Sequence, residues 1–566
     1  MSGGGGDEAA PTGPSGGNRV VVGNGAAEGA ARSSSGSRGT FSLPSVEAVF
    51  CRHNNNNNSR ACPCLFPTRR AVDEKCSSAR VASVRQQDIP DVIKRMSEMH
   101  VFSSGTGHMK TGDEVYSSLR EEPPTTREAD HSAVVLDVDA LRAGFAAAKH
   151  AFPPHWRHCF AMKSCPLPLV IQEALSAGLG IEAASFVELY MALAHGCPAD
   201  LVAFDSPAKT NEELEMALGR GTLVNANSLV ELDRIDAILE KGGFSTTARV
   251  GIRLNTLIGT GSIAEMSVSV STSKFAVPTT PTNVRAVVDA FRKWPWLVAL
   301  HTHVGSQGYS LNQLAEGIAA LCTIADAIDE ELGKGRVTLL DIGGGLPANY
   351  ASDEVSPAFS EYATALKNTA PSLFENTERI VVTEFGRALV AKAAMTVSTV
   401  EYVRSNNTCD ESPAVEEGQA TTTEGVPIVE PFLPYADHQT LVTHMGADLF
   451  LRASYCPGKY CHRLSMHSRS GAPLVGPSIR TDVAGPLCFQ GDYVARDVSL
   501  PRATPGDLVV ARDTGANTLS LFSRHCSRRS PAVYGYVRGE DGSVCVRLVK
   551  EKESVLDVAR FWGACV

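Results

Sequence analysis

The 566-residue sequence has no run of 18 or more apolar residues, so no membrane-spanning helix is expected. It has no basic cluster, and its net charge is −10 with a pI near 5.9. A nucleic-acid or anionic-membrane partner would need the opposite sign of charge, gathered on one face. Its 15 cysteines are scattered, and none stands in a CxxC pair. Cys62 and Cys64 have no companion pair at zinc spacing, so no metal site is expected, and reduced thiols are expected in place of a disulfide framework. There is no apolar stretch near Met1, which speaks against a secretory signal, and Asp7 and Glu8 speak against an organellar transit peptide. A cytoplasmic location is expected, with a plastid left open. Neither a Walker GK[ST] loop nor a Rossmann glycine fingerprint is present.

What remains is ordinary for a globular protein, 43% hydrophobic and 20% charged. The exception is residues 1–100. They open MSGGGGDEAAPTGPSGG, carry an unbroken run from Asn54 to Asn58, and have few recurring apolar positions. A disordered tail is expected there, because such a composition buries too little surface to offset its ordering entropy. A polar insert over 405–425 reads as a long surface loop.

From about Arg157 to Ala391, short apolar runs alternate with helical patterns. The runs are HCFAMKS, GIEAAS, LVAFDS, TLVNAN, RVGIRLN, LVALHTHVGS, VTLLDIGGG and RIVVTEFG. Several intervening segments begin at Ser, Thr or Pro and end at Gly, the start and stop signals of helices. Such alternation predicts a parallel sheet, and eight units over about 240 residues fit a single (β/α)8 barrel. A doubly wound open sheet is the alternative, usually with fewer strands. After Ala391, short β-branched runs broken by Pro and Gly predict an antiparallel β domain. The strand before the barrel, in SAVVLDVDALRAGF, could belong to that second sheet. The expected division is therefore a tail at 1–100, a barrel with a preceding strand at 130–395 and a β domain at 396–566.

The barrel reading places chemistry at the C-terminal ends of the strands. Those ends carry Lys163, Glu182, Asp205, Asn225, Arg253 with Asn255, His303 with Ser306, Gly343 to Gly345, and Glu384 to Arg387. One such residue is ordinarily a cap or a solvated rim group; eight consecutive ends are harder to explain that way. LDIGGG, HVGSQ and EFGR offer glycine amides, Ser306 and Arg387 on neighbouring strands, which suits a phosphate. A phosphate cradle, a strand-end lysine and a strand-end carboxylate together point to pyridoxal 5′-phosphate. Lys163 would form the Schiff base, and Glu384 would hold the ring nitrogen protonated.

These ordered motifs resemble the group IV pyridoxal-phosphate decarboxylases of fold type III, which act on ornithine, arginine or diaminopimelate. The resemblance runs from about Ala133 to Phe561. It implies that Lys163 in FAMKSC holds the cofactor, that His303 in HTHVGSQ stacks on the ring, and that Ser306 binds phosphate. It implies the same cofactor-binding role for Gly343, Gly344, Gly345, Glu384, Gly386 and Arg387, with Phe385 where many members have Pro. Glu182 in IEAAS is placed near the lysine, and Arg253 and Asn517 are placed against the cofactor. STSKFAVP is similar to the family's TSKFG element. GPLCFQGD resembles a loop that a partner subunit inserts into the site, making Cys488 a proton donor and implying a homodimer. Arg452, Tyr455 and Asp492 are the implied substrate contacts.

The diaminopimelate enzymes are the nearer resemblance, since Cys456 follows Tyr455 where ornithine enzymes have an acidic residue. Phe489 departs from the Glu usual after the loop cysteine. Asn517 replaces the tyrosine of DxGAY, and His525–Cys526 replaces an aromatic–Asn pair. Three activities follow in order: a decarboxylase of a basic or dicarboxylic amino acid, a non-catalytic homologue that binds proteins, and a racemase on the same barrel.

Overall fold

The computed structural model describes residues 84–99, 101–102, 130–242, 248–405 and 438–565. The tail up to residue 83 and nearly all of the 405–425 insert lie outside them. The first strand, β1 (Ser132–Asp137), leads into a barrel. Its strands are β2 (Arg157–Ala161), β3 (Gly180–Ala183), β4 (Val202–Phe204), β5 (Leu223–Ala226) and β6 (Arg249–Asn255), then, after the short β7 (Val277–Pro278) beside β6, β8 (Leu297–His301), β9 (Leu339–Asp341) and β10 (Ile380–Phe385). The order β5-β4-β3-β2-β10-β9-β8-β6 closes through a β5–β6 pairing, and every ladder is parallel. All eight predicted runs are barrel strands.

The intervening helices start where their caps allow. Thr210 and Glu213 form a reciprocal capping box before Asn211–Arg220, and Gly221 ends that helix at φ 77°. Ser310 and Gln313 do the same for Leu311–Leu332. The core between helices and barrel is formed by outward-facing strand residues such as Phe160, Ile181, Phe204, Val224 and Leu340. Inward-facing residues one step away on the pleat form a separate small layer of Cys159, Ala203, Leu223, Ala299, Leu339 and Val382.

The second sheet has nine strands, adding β11 (Ala394–Ser405), β12 (His438–Thr443), β13 (Leu464–His467), β14 (Ser478–Ala484), β15 (Tyr493–Pro501), β16 (Leu508–Arg512), β17 (Ala532–Arg538) and β18 (Val544–Lys550) to β1. It is mixed, which corrects the antiparallel expectation: β1 runs parallel to β17, and β12 runs parallel to β14. The first of these pairings is possible because β1 enters this sheet before the whole barrel intervenes, and a long crossover permits parallel neighbours. β1 lies between β11 and β17, inside the second sheet.

The expected disorder up to residue 100 does not hold for its last part. Residues Ile89–Glu98 form a helix with Pro90 in its first turn. Ile89, Val92, Ile93 and Met96 are fully buried against Val135, Val397 and Tyr534 of the second sheet. Those apolar residues recur at helical spacing within a segment whose overall composition is polar, and the local period outweighs the average.

Candidate active site

The β2 strand stops at Ala161, and Met162–Ser164 form a single 3₁₀ turn that carries Lys163 out over the barrel mouth. Lys163 Nζ donates to Glu182 Oε1 at 2.6 Å. Its side chain is 43% exposed, whereas Glu182 is 0% exposed. Two other lysines are buried but occupied. Lys209 Nζ donates to the carbonyls of Ser206 and Asn225 and pairs with Glu231 at 3.0 Å. Lys392 donates to the Ser352 carbonyl and pairs with Asp513. Of these three amines, Lys163 is the one open to an incoming ligand.

Around it the strand ends converge. Asn225 Nδ2 donates to Asp341 Oδ2 at 2.9 Å, and Asp341 Oδ1 accepts from the Gly343 amide at 3.0 Å. Arg253 lies 3.9 Å from Asp205 and 4.7 Å above the Phe275 ring. His301 Nε2 is 3.6 Å from Glu384 Oε2. Four carboxylates, Glu182, Asp205, Asp341 and Glu384, thus share a water-poor layer with Lys163 and Arg253. Burial, reinforced by the nearby Asp205 and opposed by Lys163, pushes the Glu384 carboxyl up to about 8. Burial likewise raises Glu182 and Asp341. Burial opposes ionisation of Asp205 too, but Lys163, the neighbouring Glu182, His301 and Arg253 outweigh it and hold Asp205 ionised. Asp205, His301 and Glu384 each offer one ligand atom within 4.8 Å of the others. Lys163 and Arg253 beside them supply positive charge, which disfavours a cation there.

The glycine loop follows β9. Gly343 and Gly345 have φ of 62° and 107°, and a Cβ on Gly344 would stand 2.1 Å from the Glu384 carbonyl oxygen. The Gly344 amide donates to His303 Nδ1 at 3.1 Å, which fixes the imidazole at the mouth. Burial first, then Arg253 and Lys163, lowers the His303 pKa and keeps the ring neutral. Arg387, first residue after Gly386, donates to Ser306 Oγ at 3.4 Å and to the Tyr350 hydroxyl at 3.1 Å.

The second sheet closes the other wall. Tyr350, Arg387, Arg452, Tyr460, His462 and Asn517 line one cavity. Arg452 lies 5.1 Å over the Tyr460 ring and donates to the Tyr455 hydroxyl. One Arg452 guanidinium nitrogen and the Tyr460 hydroxyl are buried without a protein partner. The Asn517 amide, at φ 55°, donates to the Ser164 carbonyl at 2.8 Å, and Ser520 Oγ donates to the same oxygen. Ser164 therefore ties the lysine turn to the second sheet, and Cys165 is packed in the barrel core.

Two expected residues stand apart. Asp492 is buried, and its two oxygens accept from the amides of Ala447 and Leu487. It braces the GPLCFQGD loop by meeting backbone donors of a tight turn. Cys488 is exposed, and the nearby Cys526 pushes its thiol pKa up. Sequence reasoning did not single out His301, Asp341, Tyr350 or Tyr460. His301 could have been found, because it lies two residues before His303 and so shares its strand face.

A lysine above a barrel, two buried carboxylates within its reach and a glycine–arginine anion cradle define a pyridoxal-phosphate site of the decarboxylase kind. The pyridoxal-dependent decarboxylase family, through its pyridoxal binding domain, matches residues 138–391. That match spans the barrel, and over most of its length the chain is similar to diaminopimelate decarboxylases, which are fold type III enzymes. It is 27% identical over 438 residues to a diaminopimelate decarboxylase of Methanothermobacter thermautotrophicus, covering 75% of this chain and 90% of the relative. It is 24% identical over 422 residues to that of Aquifex aeolicus, covering 74% and 89%. The crystal structure of diaminopimelate decarboxylase from Helicobacter pylori complexed with L-lysine matches with a TM-score of 0.62 at 21% identity, covering 80% of this chain and 99% of that one. That last likeness speaks for the fold.

Pyridoxal phosphate fits the residues present. Both Glu384 oxygens are buried without a partner, which a protonated ring nitrogen would answer. One Glu182 oxygen is likewise unpartnered beside Lys163. The glycine loop with Ser306 and Arg387 suits the phosphate.

Proposed function

We propose that this protein is a pyridoxal-phosphate-dependent carboxy-lyase that releases CO2 from the α-carboxyl of a basic or dicarboxylic amino acid. The observation that carries the reading is Glu384, a carboxyl buried with both oxygens unpartnered at the same mouth where Lys163 is the open amine. When bound, the cofactor supplies an electron sink for the charge left at the substrate Cα as CO2 departs. The chain supplies the rest. Lys163 is the nucleophilic amine, and Glu182 holds it in place at 2.6 Å. Glu384 would hold the ring nitrogen of the cofactor, and His303, held by the Gly344 amide, would stack on its ring. Gly343 to Gly345, Gly386, Ser306 and Arg387 would hold its phosphate. Arg253, braced by Asp205 and Phe275, lies on the inner wall.

Arg452 keeps a donor unpartnered in the cavity it shares with Arg387 and Asn517, which suits a substrate carboxylate. Tyr455 orients Arg452 through its hydroxyl. Cys488 of one chain protonates Cα in the site of a second copy, so the active form is a homodimer. Among the described residues no helix is long and apolar enough to cross a membrane.

The test is to incubate the purified protein with pyridoxal phosphate and with diaminopimelate, ornithine, arginine and lysine in turn, measuring CO2. Release from at least one is expected. No CO2 from any of them, with no cofactor absorbance, would sink the reading; racemised substrate without CO2 would favour a racemase.

A further inference from the structure

Among the described cysteines, Cys159, Cys165, Cys197, Cys322 and Cys456 are buried, and Cys461, Cys488, Cys526, Cys545 and Cys565 are exposed; Cys488 and Cys526 stand together. Cys488 and Cys526 come from distant parts of the chain, yet Cys526 stands close enough to Cys488 to push its thiol pKa up. Their neighbours meet as well: the Phe489 and His525 rings are 6.2 Å apart, edge to face at 74°. Two dipeptides, Cys488–Phe489 and His525–Cys526, therefore face one another at both residues. Each side is held. The Cys488 loop is tied by Asp492 to Ala447 and Leu487. Cys526 sits at φ 57° with Ser527 at φ 52°, a left-handed turn that aims the thiol, and the His525 amide donates to Ser523 Oγ.

We propose that Cys488 and Cys526 are an oxidative modification site, forming a reversible intrachain disulfide with a peroxide as oxidant and thereby withdrawing the Cys488 thiol from the active site. The catalytic consequence rests on the role given to Cys488 above; the bond itself does not. One cysteine sulfur, as thiolate, attacks a peroxide oxygen. The O–O bond breaks, one water leaves, and a sulfenic acid remains. The second sulfur attacks the first, the S–O bond breaks, and the oxygen leaves as a second water. Two thiols and one hydrogen peroxide thus give one disulfide and two waters, the sulfurs losing two electrons and the peroxide gaining them. A dithiol reductant reverses the step by thiol–disulfide exchange.

The experiment treats the full chain with hydrogen peroxide near stoichiometry, blocks remaining thiols by alkylation, and maps peptides by mass spectrometry. A peptide linking Cys488 to Cys526 is expected, lighter by two hydrogens, absent after dithiothreitol and without a covalent dimer on a non-reducing gel. CO2 release measured in parallel should fall about 100-fold on oxidation, the scale of losing a general acid, and recover on reduction. In Cys526→Ser no linked peptide should form, and any activity lost to peroxide should track a sulfenic acid at Cys488, trapped by dimedone, in place of the bond. A missing linked peptide, a link to other cysteines, a covalent dimer, or full activity in the linked form would each overturn the proposal. A linked peptide in a chain that makes no CO2 even when reduced would leave the modification site standing and count against the decarboxylase reading.

Discussion

The floor and the mouth of the barrel are two layers of one inner face, a single pleat repeat apart, and their chemistry is opposite. The floor is Cys159, Ala203, Leu223, Ala299, Leu339 and Val382, all apolar. Two residues further along the same strands stand Ala161, Asp205, Asn225, His301, Asp341 and Glu384. Strand direction therefore decides where chemistry can sit, because only the mouth layer meets the loops that carry Lys163, Gly343 to Gly345 and Arg387. Cavity size does not decide it. A cavity of about 180 Å³ opens beneath the floor, lined by Trp156, Arg157, Asp200 and Arg249 among others, on the far side from Lys163. The floor still contributes to function, since it excludes water below the carboxylates and so raises Glu182, Asp341 and Glu384.

The contrast breaks most sharply in the mouth. Lys163→Ala removes the nucleophile, and CO2 release should fall by on the order of 10⁴-fold or more, with loss of the bound-cofactor absorbance. An unchanged spectrum would refute the assignment of Lys163. Glu384→Gln should lower kcat by about 10² to 10³-fold, the usual scale for a buried electrostatic partner. The same change should stabilise the cofactor-free protein at high pH. Glu384 titrates at about 8 when folded against 4.5 ordinarily, so its stabilising contribution is complete below pH 4.5 and is lost as pH rises to about 8. Gln cannot ionise. Thermal melting of the cofactor-free variant should thus exceed wild type above pH 8, by on the order of 2 kcal/mol, and the gap should close near pH 5. A gap that does not change with pH would refute the raised carboxyl.

How much of this could be read from the sequence differs between the layers. The floor and all eight strands were legible, because apolar runs bounded by Ser, Thr and Gly signals report local structure. The positions of Lys163, Glu384 and Arg387 were legible from motif order. The bracing role of Asp492 was not legible, because a motif names a residue without saying which backbone amides its oxygens accept from. Ser164 carries no local signal: its value is a carbonyl that accepts from Asn517 and Ser520, more than 350 residues away. The helix at Ile89–Glu98 was hidden by averaging composition over a longer polar segment. The parallel β1–β17 pairing joins strands almost 400 residues apart, which no window along the chain reports.

Changes to the floor should act on stability more than on chemistry. Leu339→Ala leaves a hole among packed apolar neighbours and should cost about 2–4 kcal/mol in denaturant unfolding, with kcat changed far less than by Glu384→Gln. A large loss of kcat without loss of stability would show that the floor shapes the mouth directly. Gly344→Ala lies between the two layers' behaviour. Its Cβ would press on the Glu384 carbonyl, so the loop must shift, costing about 1–2 kcal/mol and weakening pyridoxal phosphate binding by roughly tenfold.

The smallest effect is expected at Asn517, where two terms oppose. The resemblance puts a tyrosine here that touches the cofactor, and a neutral hydrogen bond contributes about 1 kcal/mol. The backbone at Asn517 is left-handed, at φ 55°, where Asn is better tolerated than a bulky side chain by about 1 kcal/mol. Its amide is already committed to the Ser164 carbonyl, so the backbone cannot relax without loosening the lysine turn. Asn517→Tyr should therefore change the cofactor dissociation constant by less than about fivefold, measured by fluorescence titration. Tightening beyond tenfold would mean that the contact outweighs the strain, and that the second sheet, not the barrel mouth alone, limits how firmly the cofactor is held.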